Sequence, residues 1–407
     1  MFLDTLALAL TAALRVFGLY FFVVALFCLK RPSDYMQRPP QTRFACLIAA
    51  RNEEMVIGKL VESLQKQEYP QELYDIYVIP NHCSDRTEEQ ARLAGAHILH
   101  CSQSVRCKGD VLHEAVARLM GENYDAFCVF DADNVVDGQF LKKMNDAFSD
   151  GAEVAKGALR VKNPSDSWVS GCYGLYFTMF DTFYSRARAN CGLSAKLVGT
   201  GFAVSRQVLE LLGGWDTVTI AEDAEFSAQC ASHGIRISYV PGAVTYDEAP
   251  PDLRTSLRQR RRWCSGVMSV AECRMGKLCR ALRGRGGFRA FDMMVFLSGP
   301  FVQAFSLLPL LLCGVCAVLN GGLRELGLSL LLGLAAGWVG CTGMAAVLAR
   351  VGGYGTRVWK GVFLFPLFMA TWLPLQVVSL IWRTRQWKTI SHTRSLSVGE
   401  LTGEKVL

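Results

Sequence analysis

The chain lacks both common phosphate-binding signatures. No Gly-x-Gly-x-x-Gly and no Walker pattern occurs, so neither a dinucleotide fold nor a P-loop is supported. No His/Cys set has zinc-site spacing. Its 15 cysteines form no disulfide-like framework, which fits a reducing, cytosolic domain. Cys313 and Cys316 lie in an apolar run, where packing accounts for them. No basic n-region precedes the first apolar run, and no small-x-small site precedes Lys30-Arg31, so this run is expected to be a retained membrane helix rather than a cleaved leader. Acid is scarce from Arg254 to Arg289, where eleven Arg/Lys face one acid, Glu272. That balance suits an amphipathic segment on an anionic leaflet, and no nucleic-acid partner is expected.

Apolar residues are abundant instead. The 407 residues are 51% hydrophobic, with mean hydropathy +0.22 and net charge +7, too apolar for an ordinary soluble protein. Phe2 to Leu29 is one apolar run, broken only by Asp4 and Arg15. Phe291 to Leu319, Leu326 to Ala349 and Gly361 to Trp382 are three more, each long enough for the roughly 20 residues a bilayer core requires. The expected organisation is an N-terminal transmembrane helix (1–30), a cytosolic domain (41–265), a basic interface segment (266–290), a membrane region of about three helices (291–383) and a tail (384–407).

Within the central segment, strands alternate with helices. Arg43 to Ala50, Tyr74 to Ile79, Ala96 to His100 and Ala126 to Phe130 read as strands. Helices are expected from about Met55 to Gln67, after Thr87 to about Ala94, and from Lys108 to about Met120. This alternation implies an α/β domain with a mostly parallel sheet, in which ligands bind beyond the carboxyl ends of the strands. Glu53, Asp85, Asp131 and Asp133 fall at such ends. Two carboxylates one residue apart suit Mg²⁺ or Mn²⁺ shared with substrate phosphates, although Asp-Ala-Asp-Asn is also good turn chemistry. Ser167 to Arg188 reads as an aromatic-rich packing helix, and Gly199-Thr200-Gly201-Phe202 as a turn before a strand.

The stretch from Ala221 to Trp263 organises the rest. It opens with Ala221-Glu222-Asp223 and closes with Gln259-Arg260-Arg261-Arg262-Trp263. A carboxylate can take a proton from a hydroxyl nucleophile, arginines can hold a diphosphate, and a Trp face can stack on a sugar ring.

In this order the motifs resemble the membrane-embedded family 2 glycosyltransferases: cellulose, chitin, hyaluronan and poly-N-acetylglucosamine synthases and the NodC-type chitooligosaccharide synthases. The resemblance covers roughly residues 43 to 265 and implies a GT-A fold. Ala50-Arg51-Asn52-Glu53 resembles the family's first nucleotide-contacting turn, Asp85 its Asp near the uracil, and Lys108 its basic residue near the nucleotide. Asp131-Ala132-Asp133 resembles the Asp-x-Asp that binds diphosphate and metal. Ala221-Glu222-Asp223 resembles Thr-Glu-Asp, which puts Glu222 at the substrate and makes Asp223 the implied general base. Gln259, Arg262 and Trp263 resemble the Gln-x-x-Arg-Trp motif at the diphosphate and acceptor, and Trp387-Lys388-Thr389 a C-terminal Trp-x-Thr. Asn81 stands where an Asp is common, and Ala221 where Thr is usual. His82 and His233 are expected to be structural.

The resemblance implies inverting transfer from a nucleotide sugar, with a UDP-sugar as the expected donor. The expected acceptor is a growing β-linked saccharide at the cytoplasmic membrane face, as in exopolysaccharide synthesis. The alternatives are single-sugar transfer onto a lipid acceptor, as in glycolipid synthesis, and a non-catalytic membrane scaffold or receptor. A multi-pass cell-membrane protein is expected, with Lys30 and Arg31 placing the catalytic domain in the cytoplasm. Charge does not close this topology: Arg383, Arg385, Lys388 and Arg394 favour an inside tail, so one run is expected to be interfacial or re-entrant. Pro366 and Pro374 mark one candidate break and Pro300 another.

Overall fold

A computed structural model describes residues 2–30, 35–102, 104–284, 286–384, 396 and 398–402. The first apolar run forms α1 (Phe2–Leu26). The central domain begins with β1 (Phe44–Ala50), α2 (Ile57–Gln65), β2 (Tyr74–Pro80), α3 (Thr87–Leu93), β3 (His97–Ile98), α4 (Lys108–Leu119) and β4 (Ala126–Asp131). These four strands pair in parallel. Alternate residues of β1 enter opposite cores: Cys46 and Ile48 join α2 residues on one face, while Ala45 and Leu47 join α4 residues on the other. This two-residue period buries both faces of the sheet. β3 is shorter than the sequence suggested, because it is the edge strand and His97 is exposed to solvent.

The second half mixes directions. It contains β5 (Val135–Val136), α5 (Phe140–Ser149), β6 (Val154–Val161), α6 (Trp168–Met179), α7 (Ala187–Asn190), β7 (Phe202–Ser205), α8 (Arg206–Leu212), α9 (Glu222–Ser232) and β8 (Ile237–Asp247). The strand order is β3-β2-β1-β4-β7-β6-β8-β5. β6 and β8 are parallel, β7 runs antiparallel to both β4 and β6, and β5 runs antiparallel to β8. The aromatic helix expected from Ser167 is present. Between α6 and α7 it passes through a π-helical stretch, Phe180–Arg186, a rare geometry often found at functional sites.

One helix, α10 (Leu253–Ala281), carries both the Gln-x-x-Arg-Trp motif and much of the basic segment. It starts at Asp252, whose side chain accepts the Thr255 amide at 2.8 Å. Beyond it lie α11 (Gly287–Phe305), α12 (Leu307–Asn320), α13 (Leu323–Val351), α14 (Trp359–Ala370) and α15 (Trp372–Ile381). Four stretches, Phe2–Leu29, Gly287–Asn320, Leu323–Val351 and Gly355–Ile381, are long and apolar enough to cross a membrane.

Two of these stretches are interrupted, at Ser306 and at Thr371. Each break has a proline as the third residue of the next helix, Pro309 and Pro374. A proline ring strikes the carbonyl four residues back. Those carbonyls belong to Phe305 and Ala370, the last residues of α11 and α14. Pro300, expected to mark a break, instead lies inside α11, as Pro366 does inside α14. Arg15, which interrupts the first apolar run, is exposed on α1. Trp387, Lys388 and Thr389 lie outside the described residues.

The long apolar helices are fastened to the domain. Arg188 on α7 donates to Asp292 on α11 at 2.9 Å with both side chains buried, and the Tyr20 hydroxyl of α1 donates to the same carboxylate at 2.7 Å. Leu159, Tyr173 and Phe177 share one core with Ala345, Phe365 and Phe368, and Ala224 and Ala228 share another with Ala271 and Leu297.

Candidate active site

The sheet register determines which residues meet. Ala49 lies beside Asp131, and Ala50 beside Pro80, so β1, β2 and β4 end together. The chain then turns sharply, with Asn52 (φ 58°) and His82 (φ 49°) in the left-handed region. Asn52 Oδ1 accepts the Ser84 amide at 2.8 Å, and Arg51 Nε donates to the Asn81 carbonyl at 3.1 Å. These bonds fasten the two turns to each other. Asp85 is used locally: its carboxylate accepts the Glu54 and Thr87 amides, each at 3.1 Å, and the Thr87 hydroxyl at 2.5 Å.

Lys108, at the start of α4, ties three elements together. Its Nζ lies 2.5 Å from Asp131 Oδ1, 2.5 Å from the Gly199 carbonyl and 3.4 Å from Glu222 Oε1. Burial opposes its charge, but Asp131 and Glu222 outweigh it and hold the ammonium above the ordinary lysine range. Glu222 is pushed up to about 7 by burial, against the pull of Lys108.

The carboxylates are crowded. Glu53 is pushed up to about 9 by burial and by Asp133, Asp131, Asp85 and Glu248. Burial and Asp133 also raise Asp247 well above the usual carboxylate range, and burial raises Asp131 despite Lys108. Lys162 offsets part of this charge, donating to the Asp133 carbonyl at 2.9 Å and lying 3.2 Å from Glu248. Such an excess of negative charge fits a divalent cation. Among the described residues, no group of three or more His, Cys, Asp or Glu is placed to hold a metal unaided. The donor set therefore fits Mg²⁺ or Mn²⁺ held by Asp131 and Asp133 only together with a diphosphate.

Asp223 stands in the first turn of α9, where a carboxylate is favoured by the helix dipole. Its Oδ2 accepts the Gly199 amide at 2.7 Å and its Oδ1 the Ala224 amide at 2.6 Å. Gly199 has φ +54°, and a Cβ there would lie 3.1 Å from Asp131 Oδ2. The Gly-Thr-Gly turn thus links Asp131, Lys108 and Asp223. Ala221, where Thr is usual, packs against α10 at Gly266; a Cβ on Gly266 would lie 2.7 Å from the Ala221 methyl. The small residue suits that close approach.

Helical periodicity separates the arginines of α10. Arg260 is buried with its guanidinium 3.9 Å from the Phe368 ring centroid, and its Nη1 donates to the Phe368 carbonyl at 3.0 Å. Arg261 reaches the Trp382 carbonyl at 3.0 Å. Arg262 lines the cavity. Gln259 Oε1 accepts the Tyr173 hydroxyl at 2.9 Å. Trp263 stacks on Trp372, and Tyr176 stacks on the same ring, with centroids 6.3 and 5.4 Å apart.

Every site residue expected from sequence except Asp85 lines one cavity of about 950 Å³. Two further charged residues line it that the motifs did not flag, Asp247 and Lys196. Asp247-Glu248 closes a strand as an acid pair, a signal of the same kind as Asp131-x-Asp133. Lys196 carried no signal; its ammonium lies 5.0 Å from the Phe296 ring centroid, and burial lowers its pKa. His82 and His233 are structural, bonded to the Val105 and Gln229 carbonyls.

Residues 39–266 match the family described as glycosyltransferase like family 2. Over 278 residues the chain is 28% identical to a probable glycosyltransferase, YdaM, of Bacillus subtilis (strain 168), covering 65% of this chain and 64% of that protein. It is 27% identical over 238 residues to a beta-monoglucosyldiacylglycerol synthase of Synechocystis sp. (strain ATCC 27184 / PCC 6803 / Kazusa), covering 56% and 48%. It is 25% identical over 229 residues to a poly-beta-1,6-N-acetyl-D-glucosamine synthase of Staphylococcus aureus (strain COL), covering 55% and 54%. Each match spans less than two thirds of the relative's length. Among solved structures, the mannosyltransferase PcManGT from Pyrobaculum calidifontis, in complex with GDP-Man and Mn²⁺, shares the fold with TM-score 0.63 at 20% identity, covering 93% of this chain and 99% of that one. With more than half of its residues inside the family match, and with a GT-A-like sheet, the chain belongs to glycosyltransferase like family 2.

Proposed function

We propose that this protein is an inverting glycosyltransferase that moves a sugar from a nucleotide-sugar donor to an acceptor hydroxyl at the cytoplasmic membrane face, building a β-linked saccharide. The observation that carries the reading is the convergence of Asp131, Asp133, Asp223, Arg262 and Trp263 on one cavity.

In this reading the turns at Arg51 and Asn81 hold the nucleoside, for which a UDP-sugar is the expected donor. Asp131 and Asp133 would hold Mg²⁺ or Mn²⁺ with the donor diphosphate, and the ion would supply Lewis-acid charge stabilisation. Arg262 faces the diphosphate and opposes the charge that develops on the leaving group. Lys108 holds Asp131 and the Gly199 carbonyl in place. Asp223 takes the proton from the acceptor hydroxyl, and that oxygen attacks the anomeric carbon in a single displacement, converting an α donor linkage to β. Trp263 gives the acceptor sugar a flat apolar wall. The four apolar stretches support a multi-pass membrane protein, with the catalytic domain on the side that Lys30 selects.

The test is donor binding in detergent. UDP-sugars and GDP-sugars would be titrated with and without Mn²⁺, against the wild type and Arg262→Met. Metal-dependent binding weakened by the substitution is expected, and binding indifferent to both would overturn the reading.

A further inference from the structure

The cavity is lined from two sides. The domain brings Lys108, Asp131 and Arg262, which face the donor in the reading above, and the apolar helix α11 brings Phe296. One segment of the domain links the two sides. Gly199 bonds Lys108 through its carbonyl at 2.5 Å and Asp223 through its amide at 2.7 Å. Two residues earlier, the Leu197 amide donates to Ser227 Oγ at 3.0 Å, one turn along α9 from Asp223. Lys196 comes next, and its ammonium lies 5.0 Å from the Phe296 ring centroid and 5.9 Å from that of Phe180 in the π-helical stretch. Three residues of chain span at most about 11 Å, so Lys196 stands near the proposed base but on the α11 side of it.

Lys196 is only 7% exposed, and it lines the cavity. Burying an unpaired ammonium is costly, and two other buried lysines avoid that cost. Lys156 donates to the Gly157 carbonyl at 2.7 Å, and Lys162 to the Asp133 carbonyl at 2.9 Å. Among the described residues, Lys196 makes no hydrogen bond to an oxygen and no ion pair. Asp223 and Glu222 offset part of its burial from beyond ion-pair distance, and the two rings add cation–π attraction.

We propose that Lys196 is a specificity-determining residue that receives a carboxylate on the acceptor sugar, so that the saccharide this protein extends is acidic. The inference rests on the transferase reading above and deepens its acceptor. An ammonium has three donors and no acceptor, so the partner it lacks is an oxygen. Charge narrows the choice. A hydroxyl supplies a bond but leaves the buried cation uncompensated, whereas one carboxylate neutralises one ammonium. A phosphate monoester would bring up to two negative charges to a single cation, next to Asp223 and Glu222. In a hexuronate the carboxylate replaces only the hydroxymethyl group, which leaves the ring hydroxyls free to meet Asp223.

The experiment offers the detergent-purified protein phenyl β-glucuronide and its neutral carboxamide as acceptors, with a panel of UDP- and GDP-sugars and Mn²⁺. The extended glycosides are separated by chromatography, and kcat/KM is measured for each acceptor. The wild type should prefer the glucuronide by at least about tenfold. Lys196→Met should abolish that preference, and Lys196→Arg should keep it. Donor affinity, read by calorimetry, identifies a variant that has failed to fold, and the wild-type ratio tests the carboxylate without any variant. Equal use of the two glycosides, or preference for the carboxamide, would overturn the acidic acceptor. A preference that survives in Lys196→Met would overturn the role of Lys196. Donor turnover with neither glycoside extended would overturn the inference and leave the donor site standing. Absence of donor turnover in every sample, wild type included, would overturn the transferase reading itself and this inference with it.

Discussion

Replacing Asp223 by Asn separates the proposed base from its scaffold. Both carboxylate oxygens accept backbone amides, from Gly199 at 2.7 Å and Ala224 at 2.6 Å. An amide side chain keeps one acceptor oxygen and turns an NH₂ toward the other N–H. One of the two bonds is lost and a partly buried donor is left unpaired, at a cost of about 1 kcal/mol to the fold. Loss of a general base removes roughly 100- to 10,000-fold of rate, or about 3–5 kcal/mol of barrier at about 1.36 kcal/mol per tenfold. The groups proposed to bind the donor, Asp131, Asp133 and Arg262, are unchanged. A kcat reduced by that factor with donor KM within about threefold is therefore expected. The assay is steady-state release of nucleoside diphosphate, with donor affinity measured separately by calorimetry. Full kcat in Asp223→Asn would refute the assignment of the base. Donor affinity lost in parallel with kcat would also contradict it: Gly199, whose carbonyl receives Lys108, would have moved, and the effect would be architectural.

Three further perturbations have defined outcomes. Asp133→Ala should weaken the Mn²⁺-dependent part of donor affinity by about tenfold or more, read by titrating Mn²⁺ at fixed donor; an unchanged metal response would place the ion elsewhere. Asp292→Ala leaves Arg188 buried without its partner and should cost about 3–5 kcal/mol, seen as lower thermal stability in detergent, because the bond from Tyr20 of α1 is lost as well. Lys156 is buried in β6 with its ammonium 2.7 Å from the Gly157 carbonyl, and burial lowers its pKa to about 8. A lysine depressed below its unfolded value near 10.4 destabilises the fold when charged, so its contribution to stability rises from about pH 8 to about pH 10.4. Lys156→Met should flatten that slope, which pH-dependent thermal unfolding of both proteins would reveal.

The first half of the domain was legible because its strands are continuous apolar runs separated by helices with clear starts, as at Thr87 and Lys108. The motifs proposed for the site were legible for the same reason: Asp131 ends a buried strand, and Arg262-Trp263 sits on a long helix. The second half was not. β5 has only two residues, so no local period announces it, and although the Gly199-Thr200-Gly201-Phe202 turn pointed to a strand after it, β7 is four residues long and its antiparallel pairing with both neighbours has no local signal. Asp247 was missed because its strand was not separated from the motif-rich stretch around it. Lys196 was missed because what makes it part of the site is distant in sequence: Phe296 on α11 and Asp223 on α9. The run of three arginines read as one cation cluster, yet about half a turn of helix separates Arg260, in an aromatic core, from Arg262, in the cavity. The helix breaks followed Pro309 and Pro374 rather than Pro300, since a proline inside an apolar helix is tolerated where neighbouring helices restore the freed groups.

The most direct test of the central claim is turnover with product stereochemistry. Purified protein would be supplied with a panel of UDP- and GDP-sugars, Mg²⁺ or Mn²⁺ and membrane lipid. Release of nucleoside diphosphate would be followed, and the anomeric configuration of the product read by NMR. Release with one donor and a β product from an α-linked donor is the expected result. An α product, or no release with any donor in the panel, would contradict an inverting transferase built on Asp223.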